Sequence, residues 1–367
     1  MPLWDHPCLV KFVTPSVRIV QEFSAIENEA KRWSLLADAA NSPMHQFAWM
    51  KACSTVFAKD GKLRLIVVGA NQPSAVGPLV MRGNRLYRLE CLGVDALYEP
   101  TDFPHSDLAS LQHLIQTLVE LRRPLLLKRV LADSPVLEAL RTAFHNRGIL
   151  VTRPSAGYPW IELDPSWIDP ETKLSTSWRS SLRRGRRKAE EIGPVRFEVM
   201  APKPPELPAM LAEMFRVEAA NWKGKNGSAL LNDSHRRQFY EQYAVTACEK
   251  GILRISFMTI GERIVATQLA AESRAGFWLL KVGYDEMYAK CSPGNLLLVE
   301  TLKYAVQRGL KSYEFLGSSA PWTEVWTRQI RPCVAVAAYP NNCRGGAAFL
   351  CDAVKFGWER LGRKLFS

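Results

Sequence analysis

Two spacings of apolar residues alternate along this chain, one suited to strands and one to helices. "LRLIVVGA" from Leu63 and "AVGPLVMRG" from Ala75 flank an "NQPS" turn and predict paired strands. "RLYRLECLG" from Arg85 predicts another. Leu108, Leu111, Leu114, Ile115 and Leu118 then recur at helical intervals, with Asp107 at the start. "PLLLKRVL" returns to a strand, and "SPVLEALRTAFHNRG" predicts a short helix that Gly148 can stop. Strand, helix, strand, helix is an α/β rhythm.

"YPWIELDPSWIDPETK" interrupts the rhythm and sets a boundary near Asp164. Beyond it, helices are predicted over Ser177–Ile192, Ala209–Asn221 and Ser234–Lys250, with the strand "PVRFEVM" after the first. "ILRISFMTI", "RIVATQLAAES" and "GFWLLKVGYD" follow as a three-strand meander, then a helix over Gly294–Arg308 and a strand in "KSYEFLGSS". The chain ends on an amphipathic helix with Leu350, Val354, Trp358, Leu361 and Leu365 on one side and Lys355, Arg360, Arg363 and Lys364 mostly away from it. Such a stripe packs on a domain or rests on an anionic membrane. Three segments are expected: 1–163, 164–343, and the terminal helix 344–367.

Composition narrows the partners. The 367 residues are 47% hydrophobic and 23% charged, as in a globular protein, and the net charge is +12. That excess favours anions: a phosphorylated cofactor, RNA or a membrane surface. No run approaches the roughly 20 apolar residues of a membrane span, and the N-terminus lacks a signal-peptide pattern, so a cytoplasmic location is expected. The eight cysteines and six histidines are scattered without metal-ligand spacing, and no metal is expected.

The densest chemistry is "KCSPGN", Lys290 to Asn295, where a strand hands over to a helix. Pro293 suits a first helical position and Gly294 permits close approach of a ligand to the backbone. The amides of Gly294, Asn295 and Leu296 then form an anion site backed by the helix dipole, unless Ser292 merely caps the helix. Asp285, just after Tyr284, is a candidate base or a turn residue. Glu314 alternates with Tyr313 and Phe315 and is a base or solvent-facing. Trp222 and Lys223, in "NWKGKNGSAL", are a candidate acceptor-binding loop four residues beyond Glu218. "WRSSLRRGRRKAEE" carries Arg179, Arg183, Arg184, Arg186, Arg187 and Lys188 beside a narrow apolar edge, a phosphate-binding face or a solvated one.

From Trp178 to Thr327 the chain resembles the GNAT acetyltransferases of the CelD-like, cellulose-biosynthesis group, related to Fem-type aminoacyltransferases. "WRSSLRRGRRKAEEIG", "ANWKGKNGSALL", "FYEQY", "KVGYDEMYAKCSPGNLLL" and "YEFLG" carry the resemblance. It implies an α/β (α+β) fold of tandem GNAT-like domains, with mixed, mostly antiparallel sheets flanked by helices and the second copy better preserved. It also implies direct transfer from acetyl-CoA or another acyl-CoA to an amine or hydroxyl of a sugar, polysaccharide or envelope precursor. Lys290, Ser292, Gly294, Asn295 and Leu296 would hold the donor. Asp285 and Glu314 would serve catalysis, and Trp222, Lys223, Arg183, Arg187 and Tyr284 the substrate. The donor loop has fewer glycines than many GNAT enzymes, which leaves two alternatives: an aminoacyl-tRNA-dependent transferase, or a disabled scaffold held at a polysaccharide-synthesis complex, peripheral to the membrane, by its terminal helix.

Overall fold

The computed structural model describes residues 16–22, 24–27, 33, 36, 42–58, 61–82, 86–220, 230 and 233–365. In chain order its principal elements are β1 (Val17–Val20), α1 (Phe47–Phe57), β2 (Gly61–Val68), β3 (Ala75–Arg82), β4 (Arg88–Cys91), α2 (Leu108–Glu120), β5 (Leu125–Leu131), α3 (Pro135–Phe144) and β6 (Gly148–Glu162). There follow α4 (Thr176–Ile192), β7 (Val195–Met200), α5 (Leu207–Ala219), α6 (Ser234–Glu249), β8 (Leu253–Ile260), β9 (Arg263–Ser273) and β10 (Gly276–Tyr284). The chain finishes with α7 (Pro293–Gln307), β11 (Ser312–Glu314), α8 (Pro321–Glu324), β12 (Ile330–Pro340) and α9 (Cys343–Leu365).

The strands form one sheet in the order β1-β2-β3-β4-β5-β12-β6-β11-β10-β9-β8-β7. Every neighbouring pair is antiparallel except β4 with β5 and β10 with β11. Read from either edge the pattern is the same: four strands in antiparallel sequence, then a parallel fifth reached through a helix, α2 in one half and α7 in the other. This is the tandem GNAT-like arrangement. The halves exchange their last strands, since β6 pairs with β11 and β12 with β5, and β6 and β12 pair with each other from Gly148↔Pro340 to Pro159↔Ile330.

Both long exchanged strands depart from the sequence expectation. β6 carries Pro154, Pro159 and Gly157, which read as breaks, yet it runs through the first part of the stretch assigned to the inter-domain passage. Pro154 and Pro159 stand on either side of a register shift, where the β12 pairing slips between Arg331 and Cys333 opposite Ala156 and Gly157. Gly157 is obligatory there, because a Cβ would come within 2.5 Å of the Arg331 carbonyl oxygen. The helix α1 also lay outside the expected elements.

Helices cover both faces. On one face α1 of the first half packs against α6 of the second, with Trp49 edge-on to Phe239 at 4.8 Å and to Tyr243 at 5.2 Å, so one core is common to both halves. On the other face α2 and α3 cover the first half, and α4 and α7 the second. Burying each such Leu or Phe contributes about 1.5–3 kcal/mol, which fixes the helix bearing the candidate site against the sheet: Leu296, Leu297, Val299 and Leu302 of α7 are all fully buried. The C-terminal helix stands on β12 through a different edge from the expected stripe. Ala348 is buried, Phe349 packs edge-on to Tyr339, and Asp352 takes hydrogen bonds from Arg88 and Tyr339, while Leu350 and Val354 face outward. The side chains of Trp358, Leu361 and Leu365 lie outside the described residues.

Candidate functional site

β10 and β11 pair over only three residues, Gly276↔Ser312 to Trp278↔Glu314. β11 then leaves: Phe315 donates to Pro159 of β6, and the left-handed pair Leu316 (φ +57°) and Gly317 (φ +58°) turns the chain away. β10 continues for six further residues to Tyr284, still paired with β9 on one edge but, among the described residues, with no strand on the β11 edge, a slot of roughly 20 Å at the usual strand rise. A cavity of about 370 Å³ occupies the open end of this slot. Its walls are Thr267 and Gln268 of β9, Val282, Gly283 and Tyr284 of β10, the start of α7 from Ser292 to Asn295 with Leu298, and Trp322 of α8.

The cavity reaches both faces of the sheet. Gln268 lies opposite Val282, which packs in the α7-side core, whereas Thr267 lies opposite Gly283, which touches α5. Neighbouring strand residues point to opposite faces, so a ligand in the slot passes between β10 and β11. Among the described residues the buried Thr267 hydroxyl has no partner, although the residue is only 2% exposed. On the α7 side the Gln268 carboxamide is near the Tyr313 hydroxyl, which bonds to Thr301 at 3.0 Å.

The start of α7 is open where its counterpart is closed. Ser292 sits at φ +52°, ψ +45°, a left-handed conformation from which its hydroxyl makes no cap bond. Pro293 has no amide hydrogen, and among the described hydrogen bonds the amides of Gly294 and Asn295 donate to no acceptor outside the helix. Both residues line the cavity. In the first half Asp107 takes this place at the head of α2. It is extended, its carboxylate accepts from the Ser110 amide at 2.8 Å and from the Ser106 and Ser110 hydroxyls, and these bonds hold its carboxyl below the usual range. One helix start carries its own anion; the other faces a cavity.

The sequence-predicted residues separate into groups. Ser292, Gly294, Asn295 and Tyr284 meet on the cavity wall. Leu296 is a correction: its amide donates to the Ser292 carbonyl at 3.1 Å and its side chain is buried in the core, so it offers a ligand nothing. Lys290 is exposed and does not line the cavity. Asp285 adopts the turn role: its carboxylate accepts from the Met287 amide at 3.0 Å and from Arg263 at 2.8 Å. Arg183 and Arg187 project almost opposite the buried edge of α4 made by Leu182, Gly185 and Ala189. Trp222 and Lys223 lie outside the described residues.

Glu314 belongs to a different place. It is buried and held by Arg331 through two hydrogen bonds of 2.7 and 2.9 Å, and that guanidinium stacks 3.7 Å from the centre of the Trp160 ring. These residues line a cavity of about 480 Å³ at the closed end of the β10–β11 pair. There burial pushes the Asp102 carboxyl up to about 6 and the His45 imidazole down to about 4.

The sequence did not single out Glu218 as a site residue. It ends α5 on the slot's other face, is 2% exposed, and accepts from the Leu230 amide at 2.9 Å. Gly283 lets α5 come this close, since a Cβ there would meet the Glu218 Cα at 2.6 Å. The available signal was an acid on the apolar face of a helix, just after Val217 and shortly before the sequence "NWKGKNGSAL".

Residues 176–324 match the family described as acetyltransferase (GNAT) domain. No curated protein matches. The fold is similar to that of FemX (TM-score 0.57, 11% identity, covering 85% of this chain and 96% of that one). It is also similar to the C-terminal domain of a protein assigned by name to lysylphosphatidylglycerol synthetase from Agrobacterium fabrum (TM-score 0.55, 11% identity, 89% and 96%). A conserved protein of unknown function from Bacteroides thetaiotaomicron is comparably similar (TM-score 0.54, 10% identity, 88% and 99%). Residues 176–324 therefore match the GNAT acetyltransferase domain, and the fold of the chain is GNAT-like.

Proposed function

We propose that this protein transfers an acyl group from acyl-CoA to an amine or hydroxyl of a sugar, polysaccharide or envelope precursor. The observation that carries this reading is the uncapped start of α7 opening into a cavity that passes between β10 and β11. The donor's pyrophosphate lies on the Gly294 and Asn295 amides, where the helix dipole favours negative charge. Its pantetheine arm runs through the slot past Thr267 and Gln268 and presents the thioester toward α5.

On that side the acceptor's nitrogen or oxygen attacks the thioester carbonyl carbon, the carbon–sulfur bond breaks, and the thiolate leaves. Glu218 is assigned to take the acceptor's proton, directly or through water, and to return it to the thiolate, so no net proton is gained or lost by the enzyme. Asp285 and Glu314 have no part in this step. Among the described residues no cluster of three or more His, Cys, Asp or Glu side chains suited to a metal occurs.

The halves divide near Asp164, with the first a copy whose donor site is closed by Asp107 and the terminal helix a separate element. The CelD-like group, a cytoplasmic setting and a peripheral membrane contact through α9 accompany this reading; no described helix is long and apolar enough to cross a membrane. The outward cations of α4, together with the likeness to FemX, support aminoacyl-tRNA as a second donor class. Isothermal titration with acetyl-CoA and with a tRNA mixture tests both. Micromolar binding of acetyl-CoA alone supports acyl-CoA as donor; tRNA binding alone replaces it, and no binding of either leaves the scaffold alternative.

A further inference from the structure

The basic helix α4 does not merely flank the second half; it abuts the start of α7. Gly185 sits so close to the turn before α7 that a Cβ would lie 2.8 Å from the Cys291 carbonyl oxygen and 3.3 Å from the Ser292 Cβ. One turn further along α4, Lys188 is near enough to act electrostatically on the Cys291 thiol, opposing the burial that pushes it up; Glu191 adds to the rise. By helical geometry Arg184 and Lys188 occupy the same flank beside Gly185.

The other cations of this helix are engaged or turned elsewhere. Arg186 pairs with Glu171 at 2.5 Å, Arg187 lies 3.6 Å from Glu191, and Arg179 donates to the Thr176 hydroxyl. Arg184 and Lys188 are exposed and, among the described residues, have no ion-pair partner. A pyrophosphate brings two negative charges, while the end of a helix supplies about half a positive one. Two amides alone leave such a ligand largely uncompensated. Independently, the buried Thr267 hydroxyl on the same cavity has no hydrogen-bond partner among the described residues, which fits a polar ligand there.

We infer that Arg184 and Lys188 form a second wall of the donor site, binding the pyrophosphate of a coenzyme A thioester jointly with the Gly294 and Asn295 amides. This rests on the acyl-CoA reading above. It adds to the donor site the flank of α4 that meets Ser292, distinct from Arg183 and Arg187, which the sequence placed with the substrate, and it makes α4, which precedes the first strand of the second half, part of the site.

Titration of the full chain with acetyl-CoA and with 3′-dephospho-CoA tests it, comparing wild type, R184A/K188A and the control R183A/R187A. The expected result is roughly tenfold or greater weakening of both ligands by R184A/K188A, typical of losing charge-assisted phosphate contacts, with the control within twofold of wild type. The salt dependence of acetyl-CoA binding should also flatten in R184A/K188A. Unchanged affinity in R184A/K188A overturns the inference, as does a loss confined to acetyl-CoA, which would place the cations on the 3′-phosphate. If wild type binds neither ligand, the acyl-CoA reading fails instead. If it binds tRNA with a steep salt response that only R183A/R187A reduces, the outward face is the binding surface and the inference is overturned. Far-ultraviolet circular dichroism of each variant confirms that the exposed substitutions leave the fold intact.

Discussion

Replacing Gly294 by Asp should stabilise the protein and destroy its donor site at the same time. Gly294 is the second residue of α7, its φ is not left-handed, and an added Cβ would meet only the Tyr284 ring at 3.5 Å, an ordinary contact. Removing a helical glycine is worth up to about 1 kcal/mol, and a carboxylate in the first turn adds about 0.3–1 kcal/mol. The melting temperature should therefore rise by roughly 1–2 °C for a chain of this size. The new carboxylate would stand where the donor phosphate belongs. At about 5 Å and an effective dielectric constant near 20, one pair of unit charges repels by about 3 kcal/mol, and solvent at the cavity mouth reduces this to about half. Acetyl-CoA affinity should fall roughly 10- to 100-fold.

Gly294→Ala separates charge from shape, because it keeps the same Cβ without the carboxylate; it should gain similar stability and lose less than about fivefold in affinity. Calorimetric titration and thermal melting on the same samples provide both readouts. Wild-type acetyl-CoA affinity in G294D would refute the placement of phosphate on these amides, whatever the melting temperature does. The first half already contains the corresponding arrangement in nature, since Asp107 bonds the Ser110 amide at the head of α2.

Glu218→Gln keeps an oxygen to accept from the Leu230 amide; it should retain acetyl-CoA affinity but lower turnover about 10²- to 10⁴-fold with any acceptor that wild type acylates, and full turnover would remove Glu218 from the chemistry. Arg331→Ala leaves the buried Glu314 carboxylate without its counter-ion, so unfolding free energy should drop by about 3 kcal/mol, and adding E314Q should restore part of it; no loss in urea titration would refute the structural role. Asp102 faces Ser134, His105 and Asp133, and burial raises its carboxyl from the ordinary range to about 6. A raised acid costs the fold nothing below its unfolded value near 4 and progressively more as pH climbs to 6. Asp102→Asn should therefore raise the melting temperature at pH 7.5 and have no such advantage at pH 4; a constant difference would contradict that sign. Asp107→Ala should cost about 1 kcal/mol of stability through the lost cap, with acetyl-CoA binding unchanged because the proposed donor site lies in the second half.

Much of the second half was legible because its elements obey simple periods. The meander from Leu253 to Tyr284 is three apolar runs separated by a Gly-Glu and an Arg-Ala-Gly turn, and α7 shows its apolar face in Leu296, Leu297 and Leu302. The turn chemistry of Ser-Pro-Gly-Asn marked the helix start, and the cavity lies there. β6 and β12 were not legible. Pro154, Gly157 and Pro159 break the first, and the small residues of "PCVAVAAYP" carry no alternation in the second. Their pairing is long-range, and no local pattern announces it. The same limit applies to side chains: Glu314 alternates correctly in its strand, yet only the fold brings Arg331 to it. Asp285 lies next to the slot in sequence but is drawn off by Arg263 from the neighbouring strand.

The exchanged strands also explain why a half whose helix start is closed persists beside one that is open. β11, which forms one side of the slot, has just three residues, and its other neighbour is β6 of the first half. Where β11 ends, it is the Pro159 carbonyl of β6 that accepts from Phe315 and draws the chain away from β10. Arg129, fully buried in the first half, then donates to the Gly317 carbonyl at 2.6 Å, while its other groups hold Tyr98 and Ala156. A buried charge with all three of its guanidinium nitrogens hydrogen-bonded is costly to dislodge, so the bend that opens the slot is fastened from the other half. In this architecture the first half needs no ligand of its own. Its contribution is to hold β11 apart from β10.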